Sequence, residues 1–566
     1  MRLEKLTIEK FRSIDKVTIN FPENKPLILF GPNNAGKSNI LSAINRLLGE
    51  RFPTYIECED SDYFMRNCQE YPTIKISAQF DGFYHYNNKS RGYNTISLIY
   101  GYDGKINDNR ICDNYGSKLF ISSEDRERFQ SFLLDAERNA SYHFNYSNKF
   151  SLLSKLNKSL HNSLTEEERD QLTCSFENIK KVFENKDEFS DMFNTFKSSI
   201  DESVKGFVHH LGADFSAYDP NNYAKALRIN AYEDSNVRSF NEFGTGEQQI
   251  LIMAFAKAYM QTFKGESFLF ILEEPEANLH PLAQKWLKKY IYDLCESGLQ
   301  IVISTHSPHF INPSNLEGLV RVYKEDGVTN IKQLSKEDLY NVLVQTGVPE
   351  DKIEMNSIGD YFDLRLYSEQ FEGMFAEKII LVEGLTERLS LPIWLGKENY
   401  FLSANGVEII NCMGKANIPT LYRIYSAFGY RCICLFDGDL TKKNSNDRKN
   451  ILIENILPDF LESNCYSENG KKYYIMSYGE SYICFGKDYE STIKAQIGNE
   501  KYDKLVEEAR AASIENKQGI AKYIAINCDN TPNFIKKLIE LLNYKSNQKE
   551  NSINYGDVRL DYEIPF

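Results

Sequence analysis

No apolar run in this sequence approaches the roughly 20 residues that a bilayer-spanning helix requires, which excludes membrane-embedded function classes. The opening stretch MRLEKLTIEKF mixes charge into every turn and lacks the apolar core of a secretory leader, so a cytoplasmic protein is expected. Cysteine offers no framework either. Eleven are scattered over 566 residues without one CxxC pair, a pattern of buried reduced thiols rather than of disulfides or a zinc ribbon. Positive charge is in deficit: the formal net charge is −14, which argues against a protein that coats nucleic acid nonspecifically but leaves room for a local basic channel. The deficit is uneven, since from residue 371 onward 24 Lys and Arg face 27 Asp and Glu. Internal repeats and low-complexity tracts are absent.

What is present is a globular composition, 42% hydrophobic and 26% charged, in a chain too long for one core, so two to four domains are expected. Residues 1–48 read as strand, strand, glycine-rich turn and helix, and 73–80 and 95–101 as further strands. From 122 to 206 the sequence turns polar and helical, in SSEDRERFQSFLLDAERN and TEEERDQLTCSFENIKKVFENKDEF, with Ser163 or Thr165 starting a capping box. Strand and helix patterns alternate again from about 225 to 345. The expected organisation is an α/β domain in two parts, 1–121 and 207–345, around a helical insertion at 122–206 that serves dimerisation. A connector at 346–374, a second α/β domain at 375–545 and a tail at 546–566 follow.

LILFGPNNAGKSN holds GxxxxGKS between an apolar strand and a helix, the context of a phosphate-binding loop whose backbone N–H groups and helix N-terminus cradle phosphate oxygens. This places Gly31, Asn33, Asn34, Ala35, Gly36, Lys37, Ser38 and Asn39 around ATP, with Lys37 on the β/γ-phosphates and Ser38 on Mg²⁺. Far downstream, SFLFILEEPEANLHP is an apolar strand ending on Glu273, placed to bind Mg²⁺, and Glu274, placed to polarise the attacking water. QIVISTHSPHF ends another strand at His306, placed to sense the γ-phosphate. NEFGTGEQQILIMAFAKAY joins a glycine turn to a helix that could bind a phosphate. Together these elements resemble the ABC-type ATPases of the RecF/Rad50/SMC group. The resemblance implies that Gly244 and Gly246 belong to a signature motif acting on a partner subunit's ATP, although Gly244 and Thr245 depart from the usual LSGGQ.

A second signal is a buried strand ending on a carboxylate. IILVEGLTERL runs into Glu383, with Glu387 one helical turn later. GVEIINCMGKANIPTLYRIYSAFGYRCICLFDGDLTKK then reads as strand, glycine turn, helix and a strand ending in Asp437 and Asp439, two positions that an extended strand aims the same way. Asp488 and Glu490 follow another apolar run in YICFGKDYEST. Parallel α/β sheets gather ligands at the carboxyl ends of their strands. Three clusters of hard oxygen donors there suit Mg²⁺ or Mn²⁺, and two such ions clamp the attacking and leaving oxygens of a phosphodiester displacement. Without His or Cys alongside, zinc is a poor candidate. Lys442, Lys443, Arg448 and Lys449 follow directly, where they could hold a DNA backbone.

A strand-end glutamate followed by DxD resembles the TOPRIM domain, found in topoisomerases, DnaG-type primases and nucleases. An ABC ATPase followed by TOPRIM, with LVEGLTE and MGKANIP, resembles the OLD (overcoming lysogenization defect) family of nucleases, which includes Gabija-type and retron-associated members. The resemblance implies a Rossmann-like nuclease domain and an ATPase-regulated, metal-dependent DNA endonuclease of bacterial antiphage defence. It assigns Glu383, Asp437, Asp439 and Glu490 as core metal ligands with Glu387 and Asp488 beside them, and Lys517, or its rival Lys522, as the lysine that stabilises the transition-state phosphate. The partners it implies are DNA, a second or further copies of the chain, and a helicase or retron partner in a defence complex. The competing reading is a RecF/SMC-like repair ATPase whose TOPRIM domain binds DNA without cutting it.

Overall fold

The computed structural model describes residues 2–49, 51–85, 92–102, 107–121, 126, 129–134, 160, 163–184, 230–233, 236–239, 248, 252–254, 267–277, 279–355, 358–439, 453–457, 459–460, 465–468 and 471–544. Its chain forms two compact units, one of Met1–Ile121 with Leu269–Phe566, the other of Ser122–Phe268.

In the first unit, strands β1 (Leu3–Phe11), β2 (Ile14–Asn20), β3 (Leu27–Phe30), β4 (Thr73–His85), β5 (Gly92–Tyr102), β6 (Asn107–Cys112) and β7 (Lys118–Leu119) come from the N-terminal part. The second unit supplies β8 (Phe129–Leu134), β9 (Asn230–Glu233) and β10 (Asn236–Ser239). Then come β11 (Ser267–Glu273), β12 (Gln300–Thr305), β13 (Leu319–Glu325) and β14 (Val328–Gln333). The large sheet of the first unit runs β7-β6-β5-β4-β1-β2-β14-β13-β3-β12-β11. Its outer half is antiparallel, and β1 alternates buried and accessible residues as a strand with one solvated face should. At its heart β3 lies parallel to both β12 and β13, and β12 lies parallel to β11. All four residues of β3, LILF, are buried, as a central parallel strand covered on both faces requires.

The C-terminal domain is built on a second sheet of β15 (Lys378–Val382), β16 (Val407–Asn411), β17 (Arg431–Asp437), β20 (Ser477–Tyr478) and β21 (Tyr482–Phe485), with a separate hairpin of β18 (Cys465–Glu468) and β19 (Lys471–Tyr474). Its order is β16-β15-β17-β21-β20, parallel except for β20. The chain leaves β15 to one side for β16 and returns to the other for β17. That reversal opens a crevice at the carboxyl ends of β15 and β17. A core that includes Ile380, Val382, Trp394, Leu435, Phe485 and Leu538 is fully buried and fixes the strands beneath the crevice.

Aromatic rings and one arginine join this domain to the large sheet. Phe30, the last residue of β3, meets Phe375 and Phe428 edge to face, at 6.2 and 5.7 Å between centroids. Arg321 is the register partner of Phe30 on β13, donates to the Phe428 carbonyl (2.9 Å) and lies 3.7 Å over the ring of Tyr430. The residue before the phosphate loop and the residue before β17 are thus one packed cluster.

Where a helical insertion at 122–206 is expected, the second unit spans Ser122–Phe268, and within it Phe129–Leu134 is a buried strand rather than part of a helix. FQSFLL is apolar and aromatic, and that buried content outweighs the polar helix-forming residues around it. Glu166–Glu184 is helical, and of the two candidate caps Thr165 makes the box, exchanging bonds with Glu168 while Ser163 bonds the Leu160 carbonyl. The tail 546–566 lies outside the described residues.

Candidate functional site

The phosphate loop connects β3 to the helix Lys37–Leu48. Gly31 (φ 141°) and Gly36 (φ 112°) are required by space as well as conformation. A Cβ would lie 2.1 Å from the Val322 carbonyl oxygen at the first and 2.2 Å from Thr329 Oγ1 at the second. Lys37 curls back, buried, and donates to the carbonyls of Gly31 (2.9 Å) and Pro32 (3.0 Å). Burial pulls its ammonium down to about 8 against the charges of Glu274, Glu276 and Glu273. Ser38 Oγ donates to Glu273, so the two residues expected to share a magnesium ion meet across the sheet. Asn34 accepts from Lys324 and Asn39 accepts from Arg12, at 3.3 and 3.4 Å.

Glu274 has a left-handed backbone (φ 46°), uncommon for a residue with a side chain, and sits 3.4 Å from His306 Nε2. Burial first, and the nearby Lys37 charge second, hold His306 below its ordinary pKa. Sequence reasoning passed over Glu276. Its Oε1 accepts from the His306 backbone N–H (2.6 Å) and Thr305 Oγ1 (2.8 Å), locking the end of β12 to the turn after β11. The repeated acid in EEPE was the available signal. Gly244 and Gly246 lie outside the described residues, as do Lys442, Lys443, Arg448 and Lys449.

The acidic cluster occupies the crevice of the second sheet. Glu383 follows β15, and its Oε1 accepts from the Asp437 backbone N–H at 2.7 Å. Asp437 ends β17 and accepts from the Tyr489 N–H at 2.9 Å. Glu387, in the first turn of the helix Leu385–Lys397, is buried. Burial, then the charges of Glu383 and Glu490, lift Glu387 to about 7; burial, then Glu383, Glu387 and Glu490, lift Asp437 to about 8. Glu490 pairs with Lys517 at 2.8 Å; Lys517 and Lys522, on the same helix, are both exposed. Asp488 caps the helix Tyr489–Ile497 through the Ser491 N–H (2.7 Å).

The expectation that Asp437 and Asp439 share one face of an extended strand needs correction. β17 ends at Asp437, and Asp439 is left-handed (φ 54°), a conformation aspartate tolerates better than most residues. The two are joined instead by Lys415, the lysine of MGKANIP, whose role its local sequence does not disclose. Its buried ammonium donates to Asp439 Oδ2 (2.8 Å) and to the Asp437 carbonyl, and stands 3.9 Å from Glu383. The loop is shaped to deliver it: Met413 is left-handed (φ 56°) and its N–H is held by Asn411 Oδ1, while Gly414 N–H donates to the Glu383 carbonyl.

Among the described residues no three His, Cys, Asp or Glu side chains already converge on one metal-sized point. The donor set nevertheless fits a hard divalent cation. Glu383, Glu387, Asp437 and Glu490 are oxygen donors, and the charges of Glu383 and Glu490 push Glu387 and Asp437 toward protonation, a repulsion that a bound dication relieves.

Residues 1–128 and 123–311 match the family described as AAA ATPase domain, and 374–439 match the overcoming lysogenization defect protein-like TOPRIM domain. The chain is similar to an OLD nuclease of Thermus scotoductus, 25% identical over 77% of this chain and 82% of that protein. It is also similar to the endonuclease GajA of Bacillus cereus strain VD045, 22% identical over 69% and 67%. A solved SMC head bound to the C-winged helix domain of ScpA overlaps 59% of this chain and 98% of its own, at 17% identity and a TM-score of 0.36. No helix among the described residues is long and apolar enough to cross a membrane. The chain belongs to the AAA ATPase domain family, and an OLD-like TOPRIM domain follows its ATPase domain.

Proposed function

We propose that this chain is an ATP-binding, metal-dependent DNA endonuclease of the cytoplasm, controlled by its nucleotide site and serving bacterial antiphage defence. The observation that carries the reading is the crevice at β15 and β17, where Glu383, Glu387, Asp437 and Glu490 gather beside Lys517. Relatives named nuclease and endonuclease, with this chain's domain pair, support it. Glu383, Asp437 and Glu490 would hold Mg²⁺ or Mn²⁺, with Glu387 behind them and Asp439 acting through Lys415. When bound, such ions supply positive charge at the attacking and leaving oxygens of a phosphodiester. Hydrolysis adds water at phosphorus, breaks one P–O bond and returns the proton to the leaving oxygen. Lys517, two-thirds exposed and on the rim of the cluster, is placed to exchange Glu490 for a substrate phosphate oxygen. The cluster of Phe30, Arg321, Phe428 and Tyr430 supports control by nucleotide, since it touches the phosphate loop on one side and β17 on the other. A signature loop working in trans makes the active form at least a homodimer.

Purified protein incubated with supercoiled plasmid and Mg²⁺ or Mn²⁺, with and without ATP, tests the reading. Nicking that EDTA stops and excess metal restores is the expected result. Plasmid binding with no cutting under any of these conditions would make the chain a DNA-binding ATPase instead. At the nucleotide site, Lys37→Ala should abolish tight ATP binding. Glu274→Gln should bind ATP but turn it over slowly, because an amide cannot polarise water as a carboxylate does. Unchanged ATP affinity in the first variant, or normal turnover in the second, would move those roles elsewhere.

A further inference from the structure

The sequence has two tryptophans, and they have opposite fates. Trp394 is wholly buried in the TOPRIM core, whereas Trp286 is 49% exposed on the helix Pro281–Glu296 of the ATPase domain. Trp286 stacks on Tyr290, centroids 5.1 Å apart and planes within 13°. Leu282, one turn earlier on the same face, is 70% exposed. An apolar ridge of this kind left open to water marks a surface that something covers.

What borders the ridge identifies the occupant. With 3.6 residues per turn, Lys285 and Lys289 lie between the ridge and the side of the helix that carries Lys288. Those three lysines and Lys25 line a groove of about 490 Å³, with Glu23 and Glu296 also on its wall. Lys288 and Lys25 donate to the carbonyls of Ile311 and Ser314, which fixes their positions without neutralising their charge. In a chain of net charge −14, a lysine-lined groove is a local reversal of sign. A second copy of this chain, packed face to face here, would set lysines against lysines. A polyanion that also carries flat apolar faces fits both halves of the surface. Lysines would track its phosphates while the aromatic pair takes a base, the combination by which proteins hold single strands. A duplex presents bases already stacked and has none to offer.

We propose that the helix Pro281–Glu296 and the groove beside it bind single-stranded nucleic acid, phosphates on Lys285 and Lys289 and a base on Trp286. The groove lies at the end of β3 remote from the phosphate loop. Lys25 precedes β3, whose opposite end opens into the phosphate loop, and neither the TOPRIM carboxylates nor a metal is involved.

The test uses full-length protein in EDTA, where no cleavage occurs, so it stands or falls separately from the nuclease reading. A ten-nucleotide dT oligomer is titrated while tryptophan emission and the anisotropy of a labelled copy are both recorded. Because Trp394 is buried, quenching reports on Trp286. Saturable quenching is expected, with the binding curves from both signals coinciding. Trp286→Phe should abolish the quench, and Trp286→Ala should weaken binding about tenfold or more. Lys285→Glu with Lys289→Glu should weaken binding further and flatten its salt dependence. A parallel titration with an oligo-U separates RNA from DNA as the source of the strand. Any of four results overturns the proposal. These are no oligomer binding, binding without quenching, wild-type affinity in the lysine variant, or equal quenching by a blunt duplex. A tryptophan shift that follows protein concentration alone would assign the face to a second copy and overturn it too.

Discussion

Asp437→Asn is expected to lower the rate of metal-dependent plasmid nicking by about 100-fold or more while ATP affinity stays at the wild-type value. The substitution is chosen to keep the fold. Asparagine retains an oxygen that can accept the Tyr489 N–H, and the backbone N–H of residue 437 still donates to Glu383. What is lost is one negative charge at the position where burial and three neighbouring carboxylates concentrate repulsion. A dication held there loses a ligand and an attractive charge together. The phosphate loop is untouched, because Lys37 and Ser38 draw their partners from Gly31, Pro32 and Glu273 in the other sheet. Initial rates of plasmid relaxation at several Mn²⁺ concentrations, with ATP binding measured on the same preparation, check both halves. Wild-type nicking by this variant would move the chemistry out of the crevice. Loss of ATP binding along with nicking would mean that the variant is misfolded, and Glu383→Gln would then carry the test.

How far the sequence discloses this architecture depends on whether the information is local. The phosphate loop is local: strand, glycines, lysine and serine lie within one stretch, and in the structure Lys37 and Ser38 open the helix that follows the loop. Strand ends are nearly as legible, since the apolar runs before Glu273, His306, Glu383 and Asp437 stop where a buried strand must stop. The strand Phe129–Leu134 was less so, because its six residues are embedded in charged, helix-favouring sequence and only tertiary burial decides the matter. Asp488 shows the ambiguity of composition. An aspartate two residues from another acid reads equally as a metal ligand or a helix cap, and here its side chain holds the Ser491 N–H. Lys415 was illegible for a different reason. Its partners Asp437 and Asp439 are more than twenty residues away in sequence, and nothing in MGKANIP says that its lysine points into an acidic crevice.

That lysine makes the strongest demand on the chemistry of the site. Lys415 and Asp439 are both buried and 2.8 Å apart, so each charge offsets the desolvation of the other. Lys415→Met takes from a buried aspartate the ammonium that stands 2.8 Å from it, and Asp439→Asn leaves a buried ammonium near Glu383 with one carboxylate fewer. Breaking a buried pair from either side typically costs about 3–5 kcal/mol, so each single variant should melt several degrees lower. In the double variant both groups are neutral, and much of that stability should return. Activity should behave otherwise. If Lys415 serves cleavage by fixing Asp439 in its left-handed turn, the pair works as a unit, and removing both members should cost about as much nicking as removing either. Each variant is expected to lose roughly 100-fold in nicking rate, the double variant no more, and Lys415→Arg should regain part of the loss by keeping the charge. Mn²⁺ affinity, measured by titration calorimetry without DNA, gives a readout that a purely structural lysine would not move. The double variant, restored in stability, should still bind Mn²⁺ more weakly than the wild type. Multiplicative losses in the double variant would show that Lys415 and Asp439 act separately. Recovery of nicking together with melting temperature would reduce the pair to scaffolding.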